Sequence, residues 1–517
     1  MASSALAPCA PDASSASPIV SSSASYASPA SGEVSALDSA SGVSYEHLFR
    51  SLAQHSRVFP LRSPDVALLP TPTAFYQQLL HNVQHAEKRV TISSLYLGTG
   101  QLEQALVEAL AARLRERPEL QVQLVLDYSR GQRGGQTASS VTMLAPLLQE
   151  FPDNVKLFLF RVPQLSGLKA KLPPPFNETL GVSHAKVYLV DETLVLSGAN
   201  LSDDYFTNRQ DRYVQLTDCG ALAQFYHQFV ELVTGFSYKV ALQRSPTGDS
   251  YELQAPALAH DSEEAKTAMR QELEDLVDSK KHTNSSSTDG EESDDRTDAW
   301  AFPTLQFSPI AMDHDERILS AFVGKLPRGS QLQIASGYLN FPPFLSALLE
   351  RCGAGLDVVS AAPRANGFFE APGVKGALPM AYSLIEQDFF ERTRGREFPA
   401  VLREFNRPGW TFHGKGMWWR PPPSTVGTPG LPQLTVVGSS NFGQRSYGCD
   451  LESNLVLFTR DPELQRRLQD EYEALARDAE VVTERLWLRP ERSLHGIFSW
   501  KAGHWIRPVA KIIAAYL

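Results

Sequence analysis

Residues 183–200, SHAKVYLVDETLVLSGAN, decide how the rest of the chain is read. The stretch places a His and a Lys two residues apart, an Asp five further on, and a Gly-Ala-Asn after a short apolar run. In a β-strand, residues i and i+2 point to the same face, so His184 and Lys186 project together. The apolar runs on either side of Asp191 predict a hairpin that ends in a polar turn. Residues 412–420, FHGKGMWWR, and 436–441, VVGSSN, return the pattern: His413, Lys415, an apolar strand and a turn ending in Asn441. Asp211 stands eleven residues past Asn200, and Glu452 stands eleven past Asn441. A lone His-x-Lys carries little information. Two His, Lys, Asn and acid sets in the same order are hard to attribute to chance.

The repeat extends outward from these motifs. VTISSLYLG (90–98), QLEQALVEALAARLRER (101–117) and VQLVLDYSRG (122–131) read as strand, amphipathic helix and strand, the mark of a parallel sheet. LQIASGYLN (332–340), PFLSALLERC (343–352) and LDVVSAAPRANG (356–367) follow in the same order, with residues 334–339 lying over 92–97. Such self-similarity predicts two similar α/β domains. The expected organisation has four parts. Residues 1–44 are an Ala/Ser-rich segment of disordered composition, and 45–241 are a first α/β domain. Residues 242–299 are an acidic low-complexity linker with a short helix near 263–277, and 300–517 are a second α/β domain with a basic amphipathic end.

Composition bounds the function. The chain has 517 residues, enough for two or three domains with sizeable cores, and a formal net charge of −10. Residues 261–298 hold thirteen acids against five bases, so the remainder is nearly neutral. The strong basic excess that marks nucleic-acid binding is absent overall, and no nucleic-acid partner is expected. Cys9, Cys219, Cys352 and Cys449 have neither zinc-site nor disulfide-framework spacing and read as isolated reduced thiols. No run of eighteen apolar residues predicts a membrane-spanning helix, so membrane contact would be peripheral. The last stretch, LHGIFSWKAGHWIRPVAKIIAAYL (494–517), suits an interfacial anchor on anionic lipid and equally a helix packed on the core.

If the domains pack about a pseudo-twofold axis, both His/Lys pairs meet in one cleft. Two imidazoles with two lysines suit phosphoryl transfer. One neutral His attacks phosphorus, the other moves protons, and the lysines hold the non-bridging oxygens. His184, Lys186, Asp191, His413 and Lys415 are the candidate catalytic residues. Asn200, Asn441 and Ser439 are candidates for phosphate binding, and Asp211 and Glu452 for orienting the imidazoles. No carboxylate cluster suggests a metal. Weaker signals include the turn formed by Ser93, Ser94, Leu95, Tyr96, Leu97, Gly98, Thr99 and Gly100, whose amides could hold a phosphate or nucleotide at a helix start. They also include Arg130, Arg133 and Arg364, loop cations that could meet a substrate phosphate. Of Trp418 and Trp419, one is expected in the core and the other at a lipid entrance.

These residues resemble the phospholipase D superfamily, whose repeated His-x-Lys-x4-Asp motif builds two similar α/β sandwich domains around one shared site. FNETLGVSHAKVYLVDETLVLSGANLSDDYFTNRQDRYVQL, ANGFFEAPGVKGALPMAY and GWTFHGKGMWW…GSSNFGQRSYGCDLE resemble, within it, the phosphatidylglycerophosphate synthases of eukaryotic mitochondria. That likeness spans roughly 45–240 and 300–517. It implies transfer of a phosphatidyl group from CDP-diacylglycerol to glycerol-3-phosphate through a phosphatidyl-histidine, the committed step toward phosphatidylglycerol and cardiolipin. It implies no required cofactor, with ATP at the 93–100 turn a weak carry-over, and a peripheral place on the mitochondrial inner membrane. The N-terminal segment lacks the arginines of a transit peptide. In the second motif Arg420 stands where the family has Asp. In the first, Ser197-Gly198-Ala199-Asn200 replaces Gly-Ser-x-Asn. The intact first motif favours His184 as nucleophile and His413 as base. Phosphatidylserine or cardiolipin synthesis, a phosphodiesterase or nuclease, and a binding-only protein remain the alternatives.

Overall fold

The computed structural model describes residues 46–172, 176–243, 250–278, 296–371, 378–423, 430–489 and 492. The N-terminal segment at 1–44, the centre of the acidic stretch and the basic end at 494–517 lie outside the described residues. The first half supplies strands β1 (Phe59–Leu61), β2 (Val66–Leu69), β3 (Arg89–Ser94), β4 (Gln121–Asp127), β5 (Val155–Phe160), β6 (Val187–Val190), β7 (Thr193–Ser197), β8 (Arg209–Gln210) and β9 (Tyr213–Leu216). A hairpin of β10 (Tyr238–Gln243) and β11 (Ser250–Gln254) follows. The second half supplies β12 (Ala299–Phe307), β13 (Met312–Asp313), β14 (Gln331–Ser336), β15 (Gly355–Ala361), β16 (Ala400–Phe405), β17 (Thr411–Phe412), β18 (Lys415–Arg420), β19 (Leu434–Gly438), β20 (Glu452–Thr459) and β21 (Ala479–Val481).

The repeat is explicit in strand order. One sheet runs β11-β10-β5-β4-β3-β6-β7-β9-β2, and the other runs β1-β12-β20-β19-β18-β14-β15-β16-β21 with β13 beside β12. Read from β5 and from β16, the two share one sequence of steps. Three parallel strands (β5, β4, β3 and β16, β15, β14) are followed by an antiparallel hairpin and then one more antiparallel strand, β9 and β20 respectively. Helix Gln101–Glu116 crosses between β3 and β4, and Pro343–Arg351 between β14 and β15, as a parallel pair requires.

Burial on both faces explains the near-continuous apolar strands. Val187 and Leu189 of β6 enter one core, and Tyr188 and Val190 enter another. The first core joins both halves: Val187, Leu196 and Val214 share it with Ala301, Leu305, Val437 and Leu455. Helices Gly220–Gly235 and Pro462–Ala476 also contribute to it.

The expected linker at 242–299 is only partly one. Helix Glu263–Val277 forms where its pattern predicts, with the Ser262 side chain accepting from the Ala265 amide at its start. Its buried face, Ala265, Met269, Leu273, Leu276 and Val277, belongs to the core common to both halves. Strand β11 extends the first sheet, and Ala299 already belongs to β12. Strand β1, at the start of the first half, pairs with β12 in the second sheet. The polar composition of this stretch hid a spaced apolar stripe that only a partner surface reveals. Among the described residues, no helix is long and apolar enough to cross a membrane, and Cys219, Cys352 and Cys449 form no disulfide. Leu273 is fully buried, so Leu273→Ala should cost about 2–4 kcal/mol in urea unfolding; a solvated linker position would show no change.

Candidate active site

His184 lies three residues before β6 rather than on the strand itself. Its amide donates to the Leu451 carbonyl (2.8 Å), and Ser183 pairs in parallel with Leu451. His413 is placed in the same way. Strand β17 pairs in parallel with β8, and the His413 amide donates to the Gln210 carbonyl (2.7 Å). Each histidine is therefore bonded to the residue just before the acid of the other half.

That backbone bond sets the side-chain pairing. His184 Nδ1 lies 3.0 Å from both oxygens of Glu452, and His413 Nδ1 lies 2.6 Å from Asp211 Oδ2. At His184 the carboxylate acceptor holds the proton on Nδ1 and leaves the Nε2 lone pair for chemistry; at His413, Lys415 Nζ also lies 2.6 Å from Nδ1 and 3.2 Å from Nε2. Ser439 and Ser446 donate to Glu452, which fixes its carboxylate plane. Lys186 Nζ donates to the His184 carbonyl (2.6 Å). Lys415 Nζ donates to the His413 carbonyl (2.7 Å) and lies 3.6 Å from Asp211 Oδ2. Lys415 also reaches the turn of the first half: a Cβ at Gly198 would lie 2.7 Å from its Nζ, so only glycine fits there. The Oδ1 atoms of Asn200 and Asn441 are shielded from solvent and take no hydrogen bond. An amide oxygen only accepts, so it is the Nδ2 groups of these two side chains that can donate to phosphate oxygens.

Burial dominates the electrostatics. It lowers the His184 pKa against the opposing pull of Glu452, and it lowers His413 further, helped by Lys415 and Arg209. Burial brings Lys186 down to about 7 and Lys415 to about 8. Burial raises the Asp211 carboxyl, with Lys415 opposing. For Glu452, burial pulls upward but His184 and Lys186 prevail and hold it at about 2.

Several expected site residues belong elsewhere. Asp191 sits in the β6–β7 turn at φ 51° and accepts from the amides of Glu87, Lys88 and Arg89 (2.8, 2.7 and 3.0 Å). It closes a loop and does not reach the imidazoles. Arg420, at the corresponding place in the second half, donates to the Gly430 carbonyl (2.7 Å) across its own hairpin, a turn clamp of opposite polarity. The 93–100 turn has no amides to spare for phosphate at its centre: Gly98 N–H donates to Leu201 (2.7 Å) and Leu97 N–H to Ser140 Oγ (3.1 Å). The carboxylates of Glu103 and Asp203 lie against Gly98 and Gly100. Burial and Asp203 raise Glu103 to about 7, and such a carboxyl pair repels phosphate. Ser93 Oγ donates to the Ala185 carbonyl (3.1 Å), beside His184. Arg130 and Arg133 both pair with Glu178, in the segment leading to His184. Arg364 is exposed and lines a shallow recess with Glu404 and Asn406. Trp418 and Trp419 are both fully buried, so neither lines an entrance.

Three residues at the site went unread in the sequence. Tyr205 Oη lies 3.4 Å from His413 Nε2, the Tyr338 ring stands edge-on to His413 with centroids 5.9 Å apart, and Arg209 lies over the Tyr205 ring. Arg209 had one available signal: it precedes Asp211 by two in an extended segment, the same spacing that singled out Lys186. Among the described residues, no group of three or more His, Cys, Asp and Glu side chains is placed to hold a metal.

Paired imidazoles with crossed carboxylates, two lysines and two open asparagines, on two matched α/β sandwiches, define a phospholipase D-like phosphodiester transferase. No family model matches the chain. It is 36% identical over 473 residues to the mitochondrial CDP-diacylglycerol–glycerol-3-phosphate 3-phosphatidyltransferase of Homo sapiens, covering 87% of this chain and 84% of that protein. It is 31% identical over 471 residues to the CDP-diacylglycerol–glycerol-3-phosphate 3-phosphatidyltransferase of Saccharomyces pastorianus, covering 85% and 87%. The chain belongs to the CDP-diacylglycerol–glycerol-3-phosphate 3-phosphatidyltransferase family. The crystal structure of a phosphatidylserine synthase from Haemophilus influenzae Rd KW20 shares the fold, with a TM-score of 0.66 at 18% identity over 91% of this chain and 99% of that one.

The pKa directions fix the pH dependence. The nucleophilic imidazole must be neutral, and burial keeps it so below its usual 6.5. The lysines must be charged, and each loses its charge as pH rises past its lowered value. A profile of kcat/KM should therefore rise at acid pH and fall as pH passes through about 7 to 8. An activity that stays level to the ordinary lysine pKa of about 10.4 would contradict this.

Proposed function

We propose that the chain moves the phosphatidyl group of CDP-diacylglycerol to glycerol-3-phosphate in two displacements on His184. His184 Nε2 attacks the phosphatidyl phosphorus, the bond from phosphorus to the CMP oxygen breaks, and CMP leaves. A hydroxyl of glycerol-3-phosphate then attacks the same phosphorus, His413 takes its proton, and the P–N bond to His184 breaks. The product is phosphatidylglycerophosphate.

The crossed carboxylate–imidazole pairing carries this reading. Glu452 favours the cationic form that His184 acquires on phosphorylation. His413 is unprotonated, so it is free to take a proton, and Asp211 at its Nδ1 supports the cation it then becomes. Lys186, Lys415, Asn200 and Asn441 supply the donors for the non-bridging oxygens. CMP leaves more readily than the alcohol attacks, so the second step depends more on a proton acceptor. Asp191 has no role in bond-making here. The animal relatives are mitochondrial enzymes by name, which favours a mitochondrial location, and a peripheral place on the inner membrane fits a lipid substrate. No nucleotide cofactor enters either step.

The test is chemical trapping. Purified protein mixed with CDP-diacylglycerol labelled in the phosphatidyl phosphate, and quenched without acceptor, should retain label on a histidine. His184→Ala should abolish the label. His413→Ala should still form it but discharge it to glycerol-3-phosphate at least about a hundredfold more slowly. Loss of label in His413→Ala with retention in His184→Ala would reverse the roles. Product formation without label in any variant would replace the two-step route by direct displacement.

A further inference from the structure

Among the described residues Arg209 makes no ion pair, although Asp204 and Asp211 act on its charge from farther off, and it stands beside the proposed base. Strand β8 pairs with β17 in the register Arg209 to Thr411, two residues before His413. The Arg209 guanidinium stands 4.7 Å over the Tyr205 ring, and its Nη2 donates to Tyr338 Oη at 3.3 Å. Both tyrosines also line His413. Arg209 Nε is shielded from solvent and has no hydrogen-bond partner. A Cβ at Gly367 would lie 2.6 Å from Nη2, so a bare backbone position admits the guanidinium.

Other enclosed arginines are neutralised. Arg212 pairs with Glu471, Arg445 with Asp450, and Arg492 with Glu404. Arg209 closely meets a phenol and a ring face, with the Asp204 and Asp211 carboxylates beyond ion-pair distance. Aromatic faces and hydroxyl dipoles stabilise a cation less than a carboxylate does, so the place is poised for an anion. A guanidinium edge with a free Nε–H matches the bidentate geometry of phosphate oxygens.

We propose that Arg209 binds a phosphate group on the His413 side of the cleft, and that this group is the phosphomonoester of the acceptor. Arg209 is then the residue that selects a phosphorylated acceptor over a plain alcohol. This rests on His413 being the base, because the acceptor hydroxyl must reach that imidazole while its phosphate reaches the guanidinium. The competing source of the same chemistry is the phosphate of the leaving nucleotide.

Steady-state assays on the full chain, with Arg209→Gln and Arg209→Lys, separate the sources. Acceptors are glycerol-3-phosphate and glycerol, and the donor is CDP-diacylglycerol in mixed micelles. In Arg209→Gln, KM for glycerol-3-phosphate should rise about tenfold or more. KM for CDP-diacylglycerol should shift far less, and the preference for glycerol-3-phosphate over glycerol should fall by a similar factor. Arg209→Lys should recover part of that preference. The preference is a ratio taken on one sample, so partial misfolding does not alter it. A rise confined to KM for CDP-diacylglycerol would move the guanidinium to the nucleotide and overturn the proposal. An unchanged preference would overturn it also. Absence of product from either acceptor in the unsubstituted protein would instead strike the transferase reading itself.

Discussion

Two backbone hydrogen bonds govern the site: His184 N–H to the Leu451 carbonyl and His413 N–H to the Gln210 carbonyl. Each ties a catalytic histidine of one half to the residue preceding an acid of the other. Neither half completes its own imidazole. His184 obtains its proton acceptor only when the second sheet is docked, and His413 only when the first is. The docking is strongly specified. The halves share one apolar core, β1 adds to the second sheet, and Arg212 bonds Glu471 and the Val436 carbonyl while covering the Trp418 ring. Removing one partner of such a buried pair costs about 3–5 kcal/mol, so the interface and the chemistry stand together.

The two sites are alike in geometry and unlike in charge. Glu452 is held ionised by His184, Lys186 and Ser439, whereas burial pushes Asp211 upward against Lys415. Burial, helped by Lys415 and Arg209, lowers the His413 pKa well below its usual value. The cleft thus gathers the fully buried Lys186 and Lys415 with the partly buried Arg209, like charges that act on one another. A bound phosphate would relieve that strain, strengthening the lysine charges that burial weakens. Binding and activation are then the same electrostatic event.

Much of this was legible in the chain. The duplication of Ile92–Leu97 in residues 334–339 foretold two sheets of one strand order, and the His-x-Lys pairs with their asparagines and acids marked the site. Which acid serves which histidine was not legible, because the answer lies in pairing across 202 and 268 residues of chain. Asp191 misled for a related reason. Its place in the motif suggests chemistry, but its three bonds go to backbone amides about a hundred residues earlier. The Gly98–Gly100 turn looked open to phosphate because nothing local shows Asp203 arriving beside Glu103. The helix Glu263–Val277 was legible from its 3.6-residue period, but polar flanks hid that its buried face joins the core common to both halves.

Crossed pairing is the central claim, and imidazole proton spectra test it most directly. In protein carrying 15N-labelled histidine, a hydrogen-bonded Nδ1–H gives a downfield proton resonance for each of His184 and His413. Glu452→Gln should displace the His184 resonance and leave that of His413, and Asp211→Asn should do the reverse. Finding instead that Asp211→Asn displaces His184, and Glu452→Gln displaces His413, would mean that each half completes its own histidine and would contradict the account.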